Sequence, residues 1–202
     1  MGRKINKKEA RYKVAIVGEG ITEWYYFTSM RKSERFDFKV EPDLPKHSDY
    51  KTIIKTARKK RDEGYDLVFC VIDLDRILTN QTEKKGYKAE KSKTKSNTGI
   101  EFIETMPCIE LWFLLHFRSN YSSKVFLNYK QVVIPLRKYI PNYDKSSIFF
   151  KSLDIYEYLN TNGSYQKANE LARESVKEKI NSDDPLFNFT QINILINTLK
   201  NR

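Results

Sequence analysis

Three carboxylates follow two segments of the chain that we predict to be buried strands. Glu19 comes just after the apolar run Val14–Val17, and Asp73 and Asp75 come at the end of "DLVFCVIDLD". In an extended backbone, residues two apart leave the same face, so we expect the two aspartates to point the same way. Ligands of an open parallel sheet bind beyond the carboxyl ends of its strands, so we expect all three acids to converge there. Oxygen ligands of this kind select Mg²⁺ or Mn²⁺, which would also relieve their repulsion.

The same acids have a simpler interpretation as helix caps in solvent. An acid at each of two strand ends favours the metal site over that interpretation. The turn "GEGITE" has another alternative, a nucleotide site, because Gly18 and Gly20 supply GxG after a strand. However, Glu23 stands where such a site needs a small residue, and Glu19 would face the pyrophosphate. No GK[ST] follows the turn, so it is not a P-loop.

Strands and helices alternate in the first half of the chain. "VAIV" and "DLVFCVID" are continuously apolar, as strands buried on both faces are, and "FDFKVEPD" and "GIEFIET" are predicted as further strands. We predict helices over Thr22–Arg31, with Thr22 as N-cap, and over Asp49–Arg61. This alternation is typical of right-handed βαβ crossovers, so we predict an α/β fold with a parallel sheet flanked by helices.

The rest of the chain is predicted to be helical. Beyond Arg118, apolar stripes on Ser164–Ile180 and Thr190–Leu199 must be buried. We therefore predict an α/β domain over residues 1–118 and a helical extension over 119–202 that packs on it as one compact unit. The polar segment Arg76–Thr98 shows no periodicity and is predicted to be a mobile loop.

One predicted helix, "CIELWFLLHF" after Pro107, is apolar on all sides and yet contains Glu110 and His116. An unpaired charge there would be costly. Glu110 is either an acid favoured by the first helical turn, or a fourth acid, a second-metal ligand or a partner of a ligand. His116 lies roughly 120° around the helix from Glu110, so we predict a core histidine, and Trp24 and Trp112 are also predicted to be core.

The charge balance favours a polyanionic partner. The formal net charge is +11 and the isoelectric point is about 9.4, which suits nucleic acid, although a lysine-rich composition alone would give the same value. Arg76 is expected to pair with a carboxylate or a phosphate, and Lys84, Lys85 and Lys88 to contact a phosphate backbone. Glu23 either interacts with the helix dipole or supports a metal ligand. A further basic cluster lies at the N-terminus, within residues 3–13.

Several classes of site are disfavoured. Cys70 and Cys108 lie in apolar runs and are predicted to be buried, reduced thiols. The chain has two histidines and no CxxC, so it lacks zinc-site spacing. No signal-peptide pattern or membrane-spanning run is evident, so we expect a cytoplasmic location without membrane partners.

Several of these motifs together resemble a known family. "EGITEWYYF", "VIDLDR", "MPCIELWFLLHF", "KANELAR" and "NFTQINILINTL" are similar to the RloB-like family, although "MPC" replaces the more usual Asn-Pro-Cys. Glu19 followed by the "DLD" of Asp73 and Asp75 also looks like the Toprim domain of topoisomerases, primases and related nucleases. The resemblance implies a Toprim-like fold in which these three acids bind Mg²⁺ and Glu19 assists proton transfer. It also implies a bacterial defence locus and an ATPase partner encoded nearby.

Three functions are compatible with these features. The first is a metal-dependent nuclease acting on DNA or RNA, including transfer RNA, as a toxic effector against phage. The second is an inactive metal-binding module that docks a partner protein. The third is nucleotidyl transfer or nucleotide binding at the same site. The sequence leaves the oligomeric state, the trigger and the number of metal ions open.

Overall fold

A computed structural model describes residues 12–43, 48–95, 99–120 and 125–201 of the chain. The strands are β1 (Val14–Val17), β2 (Phe38–Glu41), β3 (Leu67–Asp73), β4 (Ile100–Met106) and β5 (Phe189–Thr190). The helices are α1 (Ile21–Ser33), α2 (Tyr50–Asp62), α3 (Asp75–Leu78), α4 (Gln81–Lys95), α5 (Glu110–Leu115), α6 (Tyr129–Leu136), α7 (Ser147–Ser152), α8 (Ile155–Asn162), α9 (Tyr165–Asn181) and α10 (Ile192–Lys200). The predicted basic cluster at the N-terminus lies outside the described residues, apart from Lys13.

The strands form one sheet with the order β2-β1-β3-β4-β5. The pairs β1–β2, β1–β3 and β3–β4 are parallel, and β5 pairs antiparallel with β4. The predicted α/β fold is therefore confirmed. The chain runs from β1 to β2 on one side and then crosses back to place β3 on the other side of β1. The strand order thus reverses between β1 and β3, and ligands of open α/β sheets bind at such a reversal.

The sheet contributes side chains to two cores, one on each face. Ile16 and Phe69 pack on one face with α1, α5 and the helices from α6 to α10. Val17 and Cys70 pack on the other face with α2 and α4. Because β3 is buried at every position, its sequence is apolar without interruption. The later helices thus share a core with the sheet, while the predicted division into residues 1–118 and 119–202 stays a prediction.

The predicted mobile loop after Asp75 is wrong for the described residues 76–95, because most of them form α3 and α4. Tyr87 anchors α4, since its ring is buried and its hydroxyl donates to Glu104 Oε1 at 2.5 Å. Arg58 of α2 pairs with Glu90 of α4 at 3.0 Å. Lysine, glutamate and glutamine are good helix formers. A single buried aromatic ring and contacts to neighbouring elements therefore suffice to fix a helix that lacks an apolar stripe.

Other helix boundaries differ in smaller ways. The N-cap of α1 is Gly20, not the predicted Thr22, whereas Asp49 caps α2 by accepting from the N–H of Thr52. The helix expected directly after Pro107 begins only at Glu110. The sequence gives no sign of β5, because two residues are too few to show a period. Within the described residues, no helix has both the length and the apolar character needed to cross a membrane.

Of the residues predicted to be structural, all but Trp24 are buried. Cys70 and Cys108 are free and buried, and Trp112 is fully buried. His116 is also buried, and its Nδ1 lies 2.9 Å from the carbonyl oxygen of Trp112. Burial lowers the pKa of His116 to about 4, so the ring is a neutral core group, as predicted. Trp24 is only partly buried against the first core.

Candidate metal centre

The turn after β1 is built around the side chain of Glu23. The N–H of Gly18 extends the β1–β2 pairing by donating to the carbonyl of Glu41 at 3.1 Å. The N–H of Gly20 donates to Glu23 Oε2 at 2.9 Å, as in a capping box. A Cβ on Gly18 would lie 2.7 Å from the Cβ of Glu23, which explains the glycine. A nucleotide site would bind phosphate at the start of α1. In this chain the carboxylate of Glu23 already takes that position.

Glu19 lies on this turn at the reversal in strand order. Its carbonyl accepts from the N–H of Ser48 at 2.9 Å, which ties the turn to the segment before α2. Its side chain and that of Asp73 line the same pocket of about 310 Å³. The other lining residues are Asp49, Tyr50, Arg76, Ile77, Asn80 and Glu83. The structure thus brings the acid after β1 and the acid at the end of β3 to one cavity.

Asp73 and Asp75 are placed by different means. Asp73 ends β3, is 8% exposed, and its Oδ1 accepts from the N–H of Ile109 at 3.0 Å. Leu74 then takes a helical conformation, so Asp75 opens α3, with its Oδ1 2.6 Å from the N–H of Arg76. The expectation that both aspartates leave one face of an extended strand is therefore wrong, because the strand ends between them. Asp75 nevertheless stays close enough to raise the pKa of Glu19.

Burial and repulsion raise the pKa values of the carboxyl groups at this edge of the sheet. Burial, followed by the charges of Glu23 and Asp75, raises the pKa of Glu19 to about 8. Burial also raises the pKa of Asp73 well above its ordinary value, and Glu23 adds to that shift. The pKa values of Glu23 and Asp75 are raised chiefly by burial as well. Lys145 opposes the rise at all four groups, so the centre combines crowded acids with a nearby cation.

Glu110 belongs to the same centre and is fully buried. Its Oε1 accepts from the hydroxyl of Tyr143 at 2.8 Å and lies 3.4 Å from that of Thr22. Its Oε2 lies 3.0 Å from the ammonium of Lys145. Ligand atoms of Asp73, Cys108 and Glu110 lie within 4.8 Å of one another. Glu110 therefore has defined partners and is more than an acid favoured by a helix dipole.

Sequence reasoning missed Lys145, Tyr143 and Cys108 as members of this centre. Cys108 was expected to be only a structural thiol, and it is buried beside Asp73 and Glu110. Lys145 and Tyr143 lie between α6 and α7, far from Glu110 in the sequence. The only available signal was the buried acid itself, which requires a counter-charge. That signal predicts a basic side chain near Glu110 but does not identify the residue.

The predicted basic residues do not all lie at the pocket lined by Glu19 and Asp73, which we call the acidic pocket. Arg76 lines it. Lys84 and Lys88 line a separate cavity of about 300 Å³ with Lys91, Lys179 and Tyr87, among others. Lys85 is exposed. We call the cavity lined by Lys84, Lys88, Lys91 and Lys179 the basic pocket. It borders the acidic pocket across the junction of α3 and α4, since Ile77 faces one cavity and Leu78 the other.

The three predicted ligands have the chemistry that suits a hard divalent cation, but among the described residues their ligand atoms do not form a compact group, as those of Asp73, Cys108 and Glu110 do. Glu19, Asp73 and Asp75 offer carboxylate oxygens, the ligands that Mg²⁺ and Mn²⁺ prefer. Crowding of partly buried carboxylates is unfavourable until a cation neutralises them. The pKa values of these groups are raised first by burial, and those of Glu19 and Asp73 also by the charges of neighbouring acids. The identity of the ion and the metal-ligand role of these residues stay predictions.

Comparisons with known proteins give one match. No curated protein and no solved structure matches the chain. The family model described as RloB-like protein matches residues 14–199, a span that runs from the first residue of β1 to the last turn of α10. The match confirms the family that the motifs predict: the chain belongs to the RloB-like protein family.

Proposed function

We propose that this protein is a divalent-metal-dependent nuclease that hydrolyses phosphodiester bonds of DNA or RNA, including transfer RNA. The observation that supports the proposal is that Glu19 and Asp73 line one pocket at the reversal in strand order, while Asp75 opens the helix that follows Asp73. An acid after one strand and an acid pair after its parallel neighbour also support the resemblance to Toprim domains. Membership of the RloB-like family is compatible with this assignment.

Each acid has a role that its surroundings suit. A bound Mg²⁺ or Mn²⁺ supplies Lewis acidity for phosphodiester hydrolysis, and Glu19, Asp73 and Asp75 would hold it. The amide of Ile109 fixes the orientation of Asp73. Burial raises the pKa of Glu19 to about 8 in the absence of metal. A bound cation would lower that pKa, so Glu19 would hold the ion as a carboxylate, and the family resemblance implies that it also assists proton transfer. Arg76, on the rim of the same pocket, would bind a phosphate group.

The wider role follows from the family resemblance and the charge. A net charge of +11 favours approach to a polyanion, and the basic pocket next to the acidic pocket would contact the phosphate backbone. We propose that the nuclease acts as a toxic effector in bacterial defence against phage, restrained by an ATPase partner encoded at the same locus. No base-reading element is assigned.

The decisive experiment is a cleavage assay with matched variants. The purified chain is incubated with plasmid, single-stranded DNA and total transfer RNA, with Mg²⁺, with Mn²⁺ or with EDTA. Glu19→Gln, Asp73→Asn and Asp75→Asn are each expected to lower the rate by about 10²-fold or more, the effect of losing one group that stabilises transition-state charge. Asn at position 73 can still accept from Ile109, so the fold should persist. Glu174→Gln, which removes an exposed carboxylate on α9, is the control.

Each outcome points to one function. Metal-dependent cleavage lost in the three site variants and kept in Glu174→Gln supports the nuclease. Metal binding without cleavage of any substrate would favour the interaction module. Incorporation of labelled nucleoside triphosphate would favour nucleotidyl transfer. Full cleavage in all three site variants would remove these acids from the active site.

A further inference from the structure

The acidic centre contains a cation that belongs to the chain. Lys145 lies just before α7, and its ammonium is 3.0 Å from Oε2 of the fully buried Glu110. The same ammonium lies over the ring of Tyr129, 4.5 Å from its centroid. Cation–π contacts and ion pairs of this kind hold a lysine in one place. The side chain of Lys145 keeps 31% of its surface exposed, so the ammonium lies at the border between the buried acids and the solvent.

Each oxygen of Glu110 has a positively polarised neighbour, a hydroxyl that donates a hydrogen bond to Oε1 and an ammonium that forms an ion pair, without a hydrogen bond, at Oε2. Oε1 accepts from Tyr143, and Oε2 faces Lys145. The group formed by Asp73, Cys108 and Glu110 is compact enough to hold a metal ion, but the ammonium occupies the side of Glu110 that a cation would use. A metal at Glu110 would have to displace a lysine that the chain itself holds there.

The carboxylates of Glu19 and Asp73 have fewer hydrogen-bond donors around them than that of Glu110. Among the described residues, no donor contacts the side chain of Glu19, and Asp73 accepts a hydrogen bond only at Oδ1, from Ile109. Glu19 and Asp73 also face the pocket. Oxygens without donors are the ones that remain available to an added cation.

From this asymmetry we infer that the centre binds one divalent cation, at Glu19, Asp73 and Asp75, and that Lys145 takes the place of a second metal at Glu110. The inference rests on the proposed metal site and goes beyond it by fixing the number of ions and the role of Glu110. In two-metal nucleases the second ion adds positive charge beside the reacting phosphate. Here a lysine from the segment between α6 and α7 would supply that charge permanently.

The test counts bound ions in the absence of substrate. Mn²⁺ bound per chain is measured by electron paramagnetic resonance of the free ion and by titration calorimetry. The wild type is expected to bind one Mn²⁺ per chain. Lys145→Met is expected to bind two, because Glu110 then regains a free oxygen beside Asp73 and Cys108. Lys138→Met removes an exposed lysine just after α6 and should still bind one ion, which controls for the change in net charge.

Glu110→Gln provides a second test if Lys145→Met does not fold. Loss of even an outer partner of a metal site commonly costs about tenfold or more in affinity. We expect Asp73→Asn to weaken Mn²⁺ binding by at least about tenfold and Glu110→Gln by less than about tenfold. The double variant Lys145→Met/Glu110→Gln should return to one ion per chain.

The outcomes separate this inference from the proposed function. Two ions bound by the wild type would overturn the inference and leave the nuclease intact. One ion in both the wild type and a folded Lys145→Met would also overturn it, as would a loss of Mn²⁺ affinity in Glu110→Gln equal to that in Asp73→Asn. A wild type that binds no Mn²⁺ would overturn the metal site and this inference together.

Discussion

Replacing Glu19 with glutamine should stabilise the metal-free protein, and the gain should grow with pH. The pKa of Glu19 is 4.5 in an ordinary environment and about 8 in the folded chain. Between these values the folded state holds a proton that the unfolded state has lost, so wild-type stability falls as pH rises. One proton corresponds to about 1.4 kcal/mol per pH unit, which gives about 3 kcal/mol between about pH 5.5 and about pH 7.5. Glutamine cannot ionise, so Glu19→Gln avoids this loss.

The assay is urea denaturation in EDTA, followed by circular dichroism at several pH values across that window. The quantity of interest is the unfolding free energy of Glu19→Gln minus that of the wild type. The difference reports the titration of Glu19 together with its interaction with the neighbouring acids, because removing its charge also lowers the pKa of Asp73. Glu174→Gln, on the exposed face of α9, is the control for removing a carboxylate outside the centre. A difference for Glu19→Gln that does not change with pH would refute the argument that burial and the charges of Glu23 and Asp75 act on Glu19.

Addition of Mg²⁺ should reverse the pH trend of the wild type. Metal ligands must be deprotonated, so binding strengthens as pH rises through the pKa values of the site. A ligand that binds only the folded state raises the unfolding free energy. The rise in melting temperature caused by Mg²⁺ should therefore be larger at about pH 8 than at about pH 6, and smaller in Glu19→Gln than in the wild type.

The basic pocket, the glycine turn and a buried tryptophan each allow one further test. Reversing the charges of Lys84 and Lys88 to glutamate should weaken nucleic-acid binding and reduce the slope of log affinity against log salt by about two; anisotropy titrations that show an unchanged slope would place the nucleic acid elsewhere. Gly18→Ala should lower the unfolding free energy by about 1–3 kcal/mol, because the new Cβ would lie 2.7 Å from the Cβ of Glu23; an unchanged melting temperature would show that the turn relaxes. Trp112→Ala should cost about 3–5 kcal/mol in urea denaturation, because the side chain is fully buried.

The position of the acids could be predicted because it depends on strand ends. The continuous apolar runs of β1 and β3 identify parallel strands buried on both faces, and the carboxyl ends of such strands meet at one edge. Glu19 and Asp73 follow from that rule. The orientation of Asp75 did not follow, because the conformation of Leu74 decides where β3 ends. Periodicity locates an element well and its last residue poorly.

The helix α4 and the partners of Glu110 could not be predicted, for two different reasons. The sequence of α4 is almost entirely polar, and its helix depends on contacts such as those of Tyr87 with Glu104, which exist only once the sheet has formed. Glu110 needs a counter-charge by electrostatics alone. The choice of Lys145 among 37 basic residues depends on how α6 and α7 pack against α5, and no local pattern records that packing.

The surface and the pocket of this protein carry opposite charges, and this constrains how a polyanion can bind. The chain as a whole has a net charge of +11, yet Glu19, Asp73 and Asp75 meet at one edge of the sheet. The N-terminus of α1 is not free to offset them, because Glu23 already accepts from the N–H of Gly20. A phosphate would therefore be attracted to the surface and repelled at the pocket until a cation is bound there. On this reasoning nucleic acid should still bind in EDTA, at the basic surface, while cleavage should not occur without the divalent ion.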